Sequence, residues 1–575
     1  MVSTNPYLIH ARIFVIFILI LCLANAPSRA QDDLDVIQGK WLHFTDAGNS
    51  LYHHFAEQAY GHLEARKKLI GKIQSLDEWK FRQQSIRKTL LEVIGPFPEK
   101  TPLNAKITRT VSKNGYRIEH IVYESRPQFF VTASLYVPSS LKRKDRAPTI
   151  IYCSGHSDNG YRSKVYQNVI VNLVRKGFVV FAFDPVGQGE RLQYFDSGTG
   201  KSLVGGPTSE HSYPGSQAFV AGTSQANYMI WDGIRAVDYL LTRKEVDPAR
   251  IGITGRSGGG TQSSYIAAVD DRIHAAAPEC YITSFERLLQ SIGPQDAEQN
   301  FPQGISKGLD HADLLEVRAP KPTLMITTTR DMFSIQGARE TAAEVARIYH
   351  AYGKGDHFAM VEDDAPHAST KRNREAMYTF FQKHLNNPGT SIDEEVDIPT
   401  EAELMVTTSG QVLTSLGGET GHSLNQRYLQ QKTDALRVAR AKTNHLEQVI
   451  DDAKTLSGYR PSPQHSSPVF TGRLQRDGYT IEKYFIKGEG EYVVPYLLIA
   501  PENENGRTIL YLHPDAKNAE ATTGGEIESL VKKGFTVLAP DLVGTGETGA
   551  GDFKGDAYIG GVSHNVWYAG ILIGR

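Results

Sequence analysis

Between residues 147 and 385 the chain alternates short apolar runs with stretches whose apolar positions recur at helical spacing. Residues 147–152, 177–183, 251–254, 273–277, 322–328 and 358–361 read as strands. Residues 165–176, 230–242 and 371–385 read as helices. Strands apolar on both faces and separated by helices predict a mainly parallel sheet with both sides covered, a doubly wound α/β architecture.

Residues 31–105 read as a helical lead. Within it Ser75, Leu76, Asp77 and Glu78 form a capping-box pattern that opens a helix towards Ile94, and Gly95 with Pro96 stops it. Strict alternation over 116–123, followed by 129–137, predicts a hairpin at the start of the sheet domain, which spans 106–388. Asn386, Asn387, Pro388 and Gly389 mark a linker, and residues 424–456 read as helical before a Ser- and Pro-rich loop at 462–468. Residues 389–475 are therefore read as linker and helical segment.

The pattern then returns. Tyr116, Ile118 and Glu119 are echoed by Tyr479, Ile481 and Glu482 at an offset of 363. Asp184, Gly187, Gly189 and Glu190 are echoed by Asp541, Gly544, Gly546 and Glu547 at an offset of 357. Residues 476–575 thus read as a partial second copy, and a period this long means tandem duplication, not a solenoid. No second G-x-S-x-G occurs in it. It stops at Arg575, in what reads as the helix before its own elbow, either as a truncated product or as a half-domain packed on the first copy. It is expected to be catalytically silent.

At 575 residues the chain exceeds what one core supports. The formal net charge is -2 and no basic stripe is evident, so nucleic acid is not an expected partner. The apolar run 13–23 is short for a membrane span. His10 and Arg12 precede it, and Ser28, Arg29 and Ala30 follow. Residues 1–30 read as a signal peptide cleaved after Ala30, with an uncleaved anchor as the alternative. The mature chain is expected to be secreted or periplasmic, without a stable membrane span. Cys153 and Cys280 then remain, too few for a disulfide framework and without zinc-type spacing, so both read as small buried hydrophobes.

The candidate chemistry centres on Gly255, Arg256, Ser257, Gly258 and Gly259, directly after the strand at 251–254. A strand that turns sharply into a helix lifts the Ser257 hydroxyl above the sheet edge, and flanking glycines give the turn room. A serine needs a histidine base, and the base needs a carboxylate to fix its tautomer. Asp331, just past one strand end, is the candidate acid, with Asp363 and Asp364 as alternatives. His367, just past the next, is the candidate base, with His357 and His350 as competitors. Gly258 and His156 are the candidate oxyanion-hole donors, through their backbone N–H groups. The excursion 191–226, with Glu210 and His211, is expected to form a pocket wall. Asp296 and Glu298 lie where a cap could be inserted, and their carboxylates are expected to be solvated.

These residues, together with Asp184, Gly187, Gly189, Glu190 and Arg191 and with Trp231, Asp232, Gly233 and Arg235, resemble α/β-hydrolases of the acetyl xylan esterase type. The resemblance covers about half the chain. It implies an α/β-hydrolase fold, hydrolysis of acyl esters on a small molecule or on carbohydrate such as acetyl xylan, no metal and no cofactor. The elbow is shared with prolyl-oligopeptidase-type peptidases, which leaves a serine peptidase as the second expectation. A non-catalytic binding module is the third.

Overall fold

The computed structural model describes residues 34–37, 41, 46–142, 144–441, 445–459, 461, 467–488, 492–542, 544–549 and 564–575. The expected signal peptide and most of the 462–468 loop lie outside the described residues. The chain divides into two compact units. The larger comprises 52–463 and 552–575, the smaller 1–51 and 464–551.

The larger unit is built on a nine-stranded sheet. Its strands are β1 (Lys106–Lys113), β2 (Tyr116–Arg126), β3 (Phe129–Pro138), β4 (Ala147–Cys153), β5 (Val179–Phe183), β6 (Val246–Arg256), β7 (Ala275–Glu279), β8 (Thr323–Arg330) and β9 (Phe358–Pro366). Their spatial order is β1-β2-β3-β5-β4-β6-β7-β8-β9. The pairs β1/β2, β2/β3 and β3/β5 are antiparallel, and every pair from β5/β4 onward is parallel. This is the mainly parallel, doubly wound α/β architecture that the apolar runs predict, and it agrees with the α/β-hydrolase fold that the family resemblance implies.

Continuous apolar strands follow from two covered faces. Ile150 of β4 packs in a cluster with Val169 and Leu173 of α3 (Lys164–Arg175) and Phe381 of α7 (Lys371–His384). Its neighbour Ile151 points the other way. It packs with Val237 and Leu240 of α5 (Gln225–Leu240) and Ile266 of α6 (Gly258–Val269). In the helical lead, α1 (Ser50–Gly71) is followed by α2 (Leu76–Ile94), which opens with the Ser75/Glu78 capping box.

Register brings the loops at the carboxyl edge together. Cys153 pairs with Gly255, so the loops leaving β4 and β6 emerge side by side. Arg256 pairs with Glu279, and Arg330 with Pro366, so residues just past β8 and β9 also meet. The Glu279 side chain is buried beneath this edge, and burial pushes its carboxyl up to about 7.

The sequence echo has a physical basis. Asp184 accepts hydrogen bonds from Arg162 Nη1 at 2.7 Å and Thr132 Oγ1 at 2.6 Å. Glu190 accepts from Arg162 Nη2 and from the backbone of Val406 and Thr407, each at 2.7 Å. In the smaller unit, Asp541 pairs with Lys517 Nζ at 2.9 Å. Glu547 accepts from Lys517 Nζ at 2.5 Å and from the backbone of Val36 and Ile37 at 2.6 and 2.7 Å. In each unit one buried cation bridges two carboxylates that also hold a strap of chain. The smaller sheet comprises β10 (Val469–Arg476), β11 (Tyr479–Lys487), β12 (Val493–Pro501), β13 (Thr508–Leu510) and β14 (Thr536–Pro540). Its order, β10-β11-β12-β14-β13, repeats that of β1-β2-β3-β5-β4.

Three elements differ from the sequence reading. Strand β1 was not expected, because six of its eight residues are exposed and it offers almost no apolar face. The excursion 191–226 contains α4 (Pro207–Ala221), whose composition and internal Pro214 conceal a helix. The segment 424–456 is two helices, Gly421–Arg440 and Leu446–Ser457. The final helix, His564–Ile573, packs with the larger unit: Gln303 N–H donates to Ile571 O at 2.8 Å, and Leu572 joins the core around Phe301 and Ile305.

Two stability predictions follow from these buried charges. Arg162→Met leaves Asp184 and Glu190 without their shared cation and should cost about 3–5 kcal/mol in urea unfolding. A cost below about 1 kcal/mol would contradict the node's role. For Glu279 the native pKa is raised above the unfolded value, so below that value the group contributes nothing. From about pH 4.5 to pH 7 the unfolded chain ionises while the native state keeps its proton, and stability falls. Glu279→Gln should therefore gain about 3 kcal/mol on wild type at pH 8 and little at pH 4. An equal difference at both pH values would remove the buried-carboxyl explanation.

Candidate active site

Ser257 stands at the turn between β6 and α6 with φ 60° and ψ -126°. A non-glycine residue rarely adopts this conformation, which is the strained nucleophile-elbow geometry. The Ser257 N–H donates to Glu279 O at 2.9 Å, tying the turn to β7. Glycine is required on both sides. A Cβ on Gly255 or on Gly259 would strike the Cys153 carbonyl, and one on Gly258 would lie 2.9 Å from the His156 ring. Gly258 opens α6, where the first N–H groups have no intrahelical acceptor.

Asp331 and His367 come together past β8 and β9. His367 Nδ1 donates to Asp331 Oδ1 at 2.8 Å, which leaves Nε2 as the ring nitrogen that can take a proton. Asp331 also accepts from Phe333 N and Thr328 Oγ1, each at 3.1 Å. Burial opposes its ionisation, but the hydrogen bond and charge of His367 together with the bonds from Phe333 N–H and Cys280 outweigh it and hold the Asp331 pKa below the ordinary carboxylate value. Among the alternatives, Asp364 bonds to Thr329 and Arg330 on the exposed surface, and His357 bonds to Pro320 O, so neither joins this pair. Cys153 and Cys280 are buried free thiols.

The loop Ser154, Gly155 and His156 lies against the elbow. A Cβ on Gly155 would fall 3.0 Å from Ser257 Cβ. The His156 ring turns to one side, onto His211 of α4 and onto Asp296 and Glu298. Both carboxylates are buried, which corrects the expectation that they are solvated. Burial opposes a charge on His211, yet Glu298 and Asp296 outweigh it and lift its pKa to about 9. The sequence gives little warning of this cluster, because its members lie 55 to 142 residues apart from His156.

A cleft of about 860 Å³ opens beside this loop, lined among others by Asp158, Arg162, Glu190, Lys201, Glu401 and Gln411. It does not include Ser257. No helix among the described residues is long and apolar enough to cross a membrane.

Residues 99–301 match the family model of acetyl xylan esterase (AXE1), and residues 221–388 match that of the prolyl oligopeptidase family. The chain is 23% identical over 321 residues to YtaP, a protein of Bacillus subtilis (strain 168) named as a hydrolase, covering 52% of this chain and 98% of YtaP. Among solved structures it is similar to Methylesterase BT1017, at a TM-score of 0.51 and 22% identity, over 66% of this chain and 81% of that one. A glucuronoyl esterase from Solibacter usitatus matches at a TM-score of 0.41 and 15% identity, over 54% of this chain and 94% of that one. The chain thus has the fold of the α/β-hydrolases, with similarity to acetyl xylan esterase over residues 99–301 and to the prolyl oligopeptidase family over residues 221–388.

Proposed function

We propose that the larger unit is a serine carboxylic-ester hydrolase that removes acetyl or similar acyl groups from carbohydrate. Ser257 Oγ attacks the acyl carbonyl while His367 Nε2 takes its proton. Asp331 holds the imidazole in the required tautomer and stabilises the imidazolium. The N–H groups of Gly258 and His156 hold the oxyanion, and His367 then returns the proton to the departing alcohol. Water, deprotonated by the same imidazole, releases the acid from Ser257. The observation that carries this reading is Ser257's strained turn at the sheet edge where His367 and Asp331 are bonded at 2.8 Å. The cleft beside the His156 loop, with hydrogen-bonding groups on Asp158, Lys201, Glu401 and Gln411, suits a hydroxyl-rich ligand.

We place the mature protein outside the cytoplasm, on the strength of the apolar run at 13–23 and the Ala30 site. The smaller unit reads as a partial tandem copy without catalytic groups, supported by its strand order and its Asp541/Lys517/Glu547 node. The match of residues 221–388 to the prolyl oligopeptidase family favours one rival reading, a serine peptidase.

Acetylated xylan should release acetate in the presence of the purified protein, while dipeptide anilides stay intact. The reverse pattern would establish the peptidase reading instead. Ser257→Ala should lower ester turnover by at least about 10³-fold with an unchanged circular dichroism spectrum, and Asp331→Asn should cause a loss of similar order. Retention of more than about a tenth of the wild-type rate by Ser257→Ala would remove it as nucleophile.

A further inference from the structure

Four side chains converge beside the elbow, each with a ligand-capable atom within 4.8 Å of the others. His156 Nε2 and His211 Nδ1 are 3.2 Å apart. Each faces the same Asp296 oxygen, Oδ2, at 2.8 and 2.9 Å. Each also faces a Glu298 oxygen, Oε1 or Oε2, at 3.1 Å. The His211, Asp296 and Glu298 side chains are at most 2% exposed, and His156 is 20% exposed. We propose that His156, His211, Asp296 and Glu298 bind one tetrahedral divalent cation of the zinc class, and that this metal holds the His156 loop against the elbow.

The spacing supports a small cation. Zinc binds imidazole nitrogen and carboxylate oxygen at about 2.0–2.1 Å, which places tetrahedral donors about 3.3 Å apart. The observed separations of 2.8–3.2 Å fall short of that edge by about half an ångström at most. Calcium requires six to eight oxygen donors at about 2.3–2.6 Å, and magnesium an oxygen-rich octahedron, so two imidazoles select against both. Four protein donors make a closed, structural site. Two neutral imidazoles and two carboxylates exactly balance a divalent charge, which lowers the cost of burying it.

The nitrogen pair is the strongest indication. Two imidazole nitrogens at 3.2 Å can share one proton; with a proton on each, Glu298 Oε1 accepts from His156 and Asp296 Oδ2 from His211, and two cationic rings lie side by side. A central cation removes that conflict and uses all four groups. The surroundings hold the Asp296 segment as ligating carboxylates are normally held. Asp296 Oδ1 accepts from Gln299 Nε2 at 2.6 Å, and Asp296 O accepts from Asn300 Nδ2 at 2.9 Å. The site would cross-link the loop after β4, helix α4 and the turn Ala297–Gln299. It departs from the metal-free expectation drawn from the family resemblance, and it does not depend on the ester-hydrolase reading.

The test uses the full chain, stripped with chelator and titrated with zinc or with cobalt(II). Wild type should take up one equivalent, show the intense visible bands of tetrahedral cobalt, and melt several degrees higher with metal than without. His211→Ala and the near-isosteric Glu298→Gln should weaken binding by at least about 100-fold and lose those bands. Ser257→Ala should keep both metal and bands. If His211→Ala does not fold, Glu298→Gln decides, with its folded state checked by circular dichroism. Wild type that takes up no metal and shows no cobalt bands would overturn the proposal and leave an ion-paired cluster only. Full retention of metal and bands by folded Glu298→Gln would equally overturn it, by moving the binding elsewhere.

Discussion

Ser257 holds a backbone conformation that costs on the order of 1–3 kcal/mol in a non-glycine residue, and the surrounding sheet is arranged to enforce it. The parallel pairing of β4 with β6 sets Cys153 against Gly255, and the Cys153 carbonyl leaves no volume for side chains at Gly255 or Gly259. The bond from Ser257 N–H to Glu279 O fixes the turn from the other side. A hydroxyl held this way keeps a constant position relative to groups presented by neighbouring strands. The His367–Asp331 pair, the Gly258 helix start and the His156 loop all reach the same edge because strand register brings them there.

The His156 loop links this edge to a second set of constraints. Its neighbour Gln188 donates from Nε2 to Gly155 O at 3.2 Å, and Gln188 belongs to the turn that Asp184, Glu190 and Arg162 hold. The His156 ring in turn engages Asp296 and Glu298. The loop is thus gripped from two sides by buried charged groups. Such networks stabilise only while complete, since one missing partner leaves a desolvated charge.

Much of this was legible in the chain. Continuous apolar strands, the capping box at Ser75 and the glycines around Ser257 all express local rules with one strong solution. Asp331 and His367 could be nominated because each follows an apolar strand, and their mutual bond is what the structure adds. The Asp184 and Glu190 echo at Asp541 and Glu547 was visible, but the cation each pair needs was not. Arg162 and Lys517 differ in type and lie outside the echoed motif. Helix α4 escaped because Pro214 and its polar residues mask the period. Asp296 and Glu298 looked like surface carboxylates because sequence does not report burial, and their partners come from distant segments.

The central claim is that this edge activates Ser257 as a nucleophile. Labelling the full chain with a fluorophosphonate, followed by peptide mapping, tests it most directly. One phosphonylated serine, Ser257, is expected, with labelling lost in His367→Ala while the fold is retained. Labelling of a different serine, or no labelling of folded wild type, would contradict it.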